Sequence, residues 1–230
     1  MSNNAVIMPD DYKDLIYKIT YPLLGKLAPR IPNSIAPNQI TIAAFISTLI
    51  AAALLYFVQS PMAFIYWALF NAIWYVLDAL DGIHARLTGQ CSEYGAFLDH
   101  AFDNISFIFT FTVFAIKFDL LHPFYIFILL SRFTAATMVF TMQCHTNRLY
   151  LSKFSGGFEF LLMTIVMLLS YAFPHFNPAM HTNNSFLLHW IDLLNLQQGL
   201  FMKLTLLIYL IGVPITFYLQ FKFVKKELKT

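Results

Sequence analysis

The sequence is poor in charge and in cysteine. Only 11% of its 230 residues are Asp, Glu, Lys or Arg, while 59% are hydrophobic; a soluble domain carries about 25% charge. So few charged groups cannot cover that much apolar surface in water. With a mean hydropathy of +0.65, a soluble enzyme is excluded. Disorder is excluded by the same balance, because disordered chains are rich in charge and poor in apolar residues. Two cysteines, Cys91 and Cys144, do not make a disulfide framework. A net charge of +2 gives no case for nucleic acid as a partner. Alternation with a period of two is missing, which argues against a β-barrel. What remains is an all-α integral membrane protein.

A membrane-crossing helix needs about 20 mostly apolar residues. Six runs qualify, at 40–58, 61–80, 95–116, 122–142, 158–173 and 200–221, the fifth being the shortest. The first run follows a charged stretch, 1–39, and does not read as a cleavable signal peptide. Within that stretch Leu15, Ile16, Ile19, Leu23, Leu24 and Leu27 recur every three or four residues, with Lys13, Asp14 and Lys18 free to face the other way. This predicts an amphipathic helix over 10–27 on the membrane surface, ended by Pro29, Pro32 and Pro37. The chain thus divides into an N-terminal segment, 1–39, a six-helix membrane domain, 40–221, and a basic tail, 222–230.

Lys and Arg set orientation. With six spans both termini share a side, and that side holds 11 of the 14: Lys13, Lys18, Lys26, Arg30, Arg86, Arg148, Lys153, Lys222, Lys225, Lys226 and Lys229. Only Lys117 and Lys203 lie near the other side, and Arg132 is mid-span. Both termini, the connection between the second and third runs and the connection between the fourth and fifth are therefore expected to face the cytoplasm. The 174–198 loop, which has no Lys or Arg, should face away.

Five of the 12 acidic residues fall within 78–103. Asp78 and Asp81 end the second run; Asp99 and Asp103 begin the third. Spacings of three and four place each pair on one helix face. Carboxylates in membrane segments are costly and mark function. Four together repel unless a cation neutralises them, and hard oxygen ligands suit Mg²⁺, Mn²⁺ or Ca²⁺. The plainer reading, pairing with Arg86, His84 and His100, leaves most of the negative charge uncompensated. Gly82 and Ala85 leave open space beside the acids, and Arg86 adds planar donors suited to phosphate. Together these residues suggest phosphoryl transfer from a diphosphate.

The string from Asp78 through Asp81, Gly82, Ala85, Arg86, Gly95 and Asp99 to Asp103 fits D-x2-D-G-x2-A-R-x8-G-x3-D-x3-D at every fixed position. It resembles the signature of the CDP-alcohol phosphatidyltransferase family. The resemblance implies a six-helix membrane fold, usually a homodimer, in which a CDP-linked group passes to an alcohol and CMP leaves. It implies Asp78, Asp81, Asp99 and Asp103 as ligands of Mg²⁺ or Mn²⁺, usually two ions. It makes Asp103 an alternative base, and Gly82, Ala85 and Arg86 the seat of the nucleotide and its phosphates. Asn38 and Thr41, in Pro37-Asn38-Gln39-Ile40-Thr41, match a second family element near the nucleotide; by themselves they read equally as a helix start.

His100 after Asp99, together with His145-Thr146, Leu149-Tyr150-Leu151, Phe154-Ser155-Gly156 and Glu159, is similar to the choline and ethanolamine phosphotransferases. These move a phospho-aminoalcohol from its CDP ester to diacylglycerol. There the histidine is a candidate general base, oriented by a glutamate one turn earlier; the corresponding position here is Ala96. An imidazole is suited to removing a proton near neutral pH; equally, His100 could simply support a metal ligand. His84 is expected to face water or head groups. His122, His175, His181 and His189 fall on the far side. Arg132 either binds an anionic acceptor or bonds a helix backbone.

Two donor arrangements are open: a CDP-aminoalcohol with diacylglycerol, or CDP-diacylglycerol with a polar alcohol. A divalent-metal transporter is the rival class. It predicts polar groups at mid-membrane and an internal repeat; here the acids sit at one end of their helices and no repeat is evident.

Overall fold

Backbone amides within a bilayer must bond to one another, and helices are the local way to do so. The computed structural model describes residues 12–228 except 147, 149, 153 and 154. Asp10, the predicted start of the first helix, and Leu149, Lys153, Phe154 and Lys229 therefore lie outside the described residues. Eight α-helices follow in order: α1 (Leu15–Leu27), α2 (Pro37–Phe57), α3 (Met62–Thr88), α4 (Glu93–Lys117), α5 (Pro123–Thr146), α6 (Gly156–Ala172), α7 (Ser185–Leu193) and α8 (Leu200–Glu227). Among the described residues there is no strand, only an isolated bridge between Tyr12 and Leu151.

Each of the six apolar runs is a helix. Four of them, α2, α3, α5 and α8, are long and apolar enough to cross a membrane. The other two differ for readable reasons. α4 is 25 residues long but includes Glu93, Asp99, Asp103 and Lys117, and α6 has 17 residues. Helix α3 outruns its apolar stretch by two turns. It continues through the acidic motif to Thr88 and stops where Gly89 takes a left-handed φ of 69°, a conformation glycine adopts without strain. The 174–198 connection, read as a loop, contains the short helix α7.

The long helices close a ring in which α2 packs on α3, α3 on α6, α6 on α8, α8 on α5, α5 on α4, and α4 on α2. One end of the ring is filled by apolar groups from all six, including Leu55, Trp67, Phe114, Ile128, Met167 and Leu206. At the other end α1 lies against α3, burying Tyr17, Tyr21 and Leu24 with Tyr75, Leu80 and Ile83. Leu15, Ile19, Leu23 and Leu27 remain exposed on its outer side.

Asp14 does not face solvent as the periodicity suggests. It is fully buried, because it caps two helices at once. Its Oδ1 accepts from the Ile16 and Tyr17 amides at 2.8 and 3.2 Å. Its Oδ2 accepts from the Ser155 amide, the Ser155 hydroxyl and the Phe158 amide at 3.1, 2.9 and 3.2 Å. The approach is close enough that a Cβ on Gly157 would stand 2.6 Å from this carboxylate. Asp14→Ala leaves these donors unsatisfied and should cost about 2–4 kcal/mol. Thermal unfolding in detergent checks this; an unchanged midpoint contradicts it.

Candidate active site

Helices α3 and α4 each pack along α2 and meet one another through side chains at the far end from the acids, where Trp67 lies against Phe114 with ring centroids 5.4 Å apart. The two acidic pairs therefore face each other across a cleft backed by α2. Carboxylate oxygens of Asp78, Asp99 and Asp103 come within 4.8 Å of one another. Asp81 stands apart from this trio. It is buried, and its Oδ2 accepts a 2.6 Å hydrogen bond from the Thr41 hydroxyl on α2. A set of hard oxygen donors this close repels itself, and a divalent cation is the group that fits it.

Gly82 and Arg86 belong together: a Cβ on Gly82 would meet the Arg86 guanidinium at 3.1 Å. Ala85, partly buried, lies one residue before it. Gly95 and Asn38 are also paired, since a Cβ on Gly95 would stand 3.0 Å from the Asn38 side-chain oxygen. The two sequence elements thus meet across the α2–α4 contact. Pro37 occupies the first turn of α2, and the Gln39 side chain accepts from the Ala36 amide at 2.9 Å. Thr41 touches Asp81, so it acts on the acid cluster through a carboxylate.

His100 lies half-buried beside Asp99, with Nδ1 3.7 Å from an Asp99 oxygen. His84, expected in water, is instead 1% exposed, with Nε2 2.9 Å from the Ile35 carbonyl oxygen. Arg132 is held by Glu159: its Nε donates to Oε1 at 3.1 Å and its Nη2 to Oε2. The Tyr209 hydroxyl donates to the same carboxylate at 2.9 Å. The arginine's partner is thus a carboxylate, neither an exposed anion subsite nor a backbone carbonyl.

Sequence reasoning missed one neighbour of the acids. Tyr12, ahead of α1, is close enough to sense Arg86, Asp99, Asp78 and Asp81. Burial above all pushes its hydroxyl up to about 12, with Arg86 pulling down and the aspartates pushing up. The phenol is therefore a neutral donor at any physiological pH. No periodic or motif signal marks it, because Tyr12 is held in place by a tertiary contact, its bridge to Leu151.

Three half-buried carboxylates gathered at one end of the helix bundle make a donor set that could hold a divalent cation. A sequence model of the CDP-alcohol phosphatidyltransferase family matches residues 34–198, and the chain belongs to that family. It is 32% identical over 154 residues to an uncharacterized CDP-alcohol phosphatidyltransferase class-I family protein of Schizosaccharomyces pombe (61% of this chain, 39% of that one). It is 28% identical over 148 residues to choline/ethanolaminephosphotransferase 1 of Saccharomyces cerevisiae (60% and 37%). It is 38% identical over 91 residues to archaetidylinositol phosphate synthase of Pyrococcus horikoshii (39% and 45%). The chain spans about two fifths of the length of the curated relatives it matches.

Proposed function

We propose that this chain is a divalent-metal-dependent phosphotransferase that moves phosphocholine or phosphoethanolamine from its CDP ester to diacylglycerol, releasing CMP. The observation that carries this is the convergence of Asp78, Asp99 and Asp103 within 4.8 Å in a chain whose signature is complete. In this reading Asp78, Asp81, Asp99 and Asp103 hold Mg²⁺ or Mn²⁺. A cation held there would supply positive charge to offset the diphosphate oxygens and the charge developing on the leaving phosphate. Gly82 and Ala85 admit the diphosphate beside α3, Arg86 and the Tyr12 phenol donate to it, and Asn38 borders the nucleotide.

His100 acts as general base, with Asp103 the alternative. The diacylglycerol hydroxyl gives up its proton to the imidazole, its oxygen bonds to the phosphorus that carries the aminoalcohol, and the bond from that phosphorus to CMP breaks. The aminoalcohol reading is supported by the similarity to choline/ethanolaminephosphotransferase 1 of Saccharomyces cerevisiae. A CDP-diacylglycerol arrangement with an anionic alcohol would call on a cation such as Arg132, whose guanidinium is bonded to Glu159.

All six long helices form the membrane domain in this account. Helix α1 rests in the interface through Leu15, Ile19, Leu23 and Leu27, and the active end faces the cytoplasm with the Lys and Arg excess. The functional unit is a homodimer.

The test is CMP release by purified protein with Mg²⁺ or Mn²⁺. CDP-choline or CDP-ethanolamine with diacylglycerol is run beside CDP-diacylglycerol with polar alcohols. The account expects turnover with the CDP-aminoalcohols; turnover with CDP-diacylglycerol alone contradicts it. His100→Ala should lower kcat by about 100-fold or more with nucleotide affinity kept.

A further inference from the structure

His100 is gripped from a neighbouring helix. Its Nε2 lies 2.5 Å from Oε1 of Gln143 on α5. Its ring stacks on Phe140 with centroids 4.0 Å apart and planes 24° apart. Gln143 and Phe140 are three residues apart and so share one face of α5. With the Gln143 amide oxygen as the acceptor, the imidazole hydrogen is assigned to Nε2. Nδ1 then carries the lone pair. That atom is buried, has no hydrogen-bond partner among the described residues, and is the one turned to Asp99 at 3.7 Å. Meanwhile the His100 carbonyl accepts from Asn104 Nδ2 at 2.9 Å, so the backbone at this turn is held as well.

An uncommitted nitrogen lone pair beside the carboxylate cluster is what a proton acceptor needs. Nothing on α4 itself provides the orienting contact, since the position one turn before His100 is Ala96. We infer that Gln143 is a positioning residue for catalysis: it sets the His100 tautomer and holds Nδ1 toward the reacting hydroxyl, doing from α5 what Ala96 cannot do from α4. This inference rests on the reading of His100 as the base. The contact is also the polar link between α4 and α5 at the active end, so helix packing and proton acceptance are tied to one hydrogen bond.

The test compares Gln143→Leu, Gln143→Glu, His100→Ala and the Gln143→Leu/His100→Ala pair in the purified full chain, using the donor and acceptor that turn over fastest. Gln143→Leu should lose about 10- to 100-fold in kcat with KM for the CDP donor within about twofold. Gln143→Glu keeps an acceptor oxygen and should restore most of that loss. In the His100→Ala background, Gln143→Leu should cause almost no further fall, because the two residues act as a unit. A general packing role predicts instead that the two losses multiply and that KM rises with them, which overturns the inference. Loss in His100→Ala with normal kcat in Gln143→Leu overturns it while leaving the base reading intact. Full activity in His100→Ala removes the base reading and the inference together.

Discussion

Asp78→Asn or Asp103→Asn should lower the rate of CMP release by about 1000-fold or more while leaving the protein folded. The substitution keeps the shape of the side chain and one oxygen, but removes a full negative charge from a set of oxygens within 4.8 Å. A preorganised electrostatic element of this kind contributes on the order of 10²–10³ in rate even as a single neutral donor, and a metal-binding carboxylate contributes at least as much. The stability effect runs the other way. Without divalent cation the four aspartates repel one another, so removing one charge should leave the unfolding temperature unchanged or raised. Activity and thermal unfolding, both measured in detergent, separate these effects. Retained turnover contradicts the metal role; an unfolding temperature lower in the variants than in the parent in metal-free buffer contradicts the account of the repulsion.

Glu159→Ala should destabilise the protein by about 3–5 kcal/mol, the cost of leaving a buried cation without its partner. Arg132 and Glu159 are only 17% and 15% exposed in their side chains, and Tyr209 loses its acceptor in the same change. Three helices are affected together, because Arg132 is on α5, Glu159 on α6 and Tyr209 on α8. The double variant Arg132→Leu/Glu159→Leu should recover most of the loss, since an ion pair replaced as a pair leaves no orphan charge. The unfolding midpoint of the three proteins reads this directly. Equal stability of Glu159→Ala and the parent contradicts the assignment of Arg132 as a structural cation.

The acid cluster was legible in the sequence because its physics is local. Two helical spacings and one short connection are enough to bring Asp78 and Asp99 to the same membrane end, and apolar runs mark the helices that carry them. What escaped was set by contacts between distant parts of the chain. Asp14 reads as a polar residue on an amphipathic face, yet its bonds to Ser155 bridge 141 positions. His84 sits between Gly82 and Arg86 like a surface residue, but the Ile35 carbonyl closes over it. Arg132 was visible as a costly cation, whereas its partner, 27 residues on, required the packing of α5 on its neighbours. Gln143 carries no charge, periodicity or motif, and only the position of α5 beside α4 gives it a role. The same holds for Tyr12, whose place beside the acids depends on its pairing with Leu151. Helix α3 shows the limit of hydropathy itself: the apolar run stops near Asp78, but the hydrogen-bonded helix continues until Gly89.

Titration of the purified chain with Mn²⁺, followed by electron paramagnetic resonance of the free ion, reads out whether the α3–α4 cleft holds a divalent metal. The account predicts saturable binding that is weakened by Asp78→Asn and by Asp103→Asn and is competed by Mg²⁺. Binding unchanged in both variants, or no binding by the parent protein with a CDP-alcohol present, would contradict it.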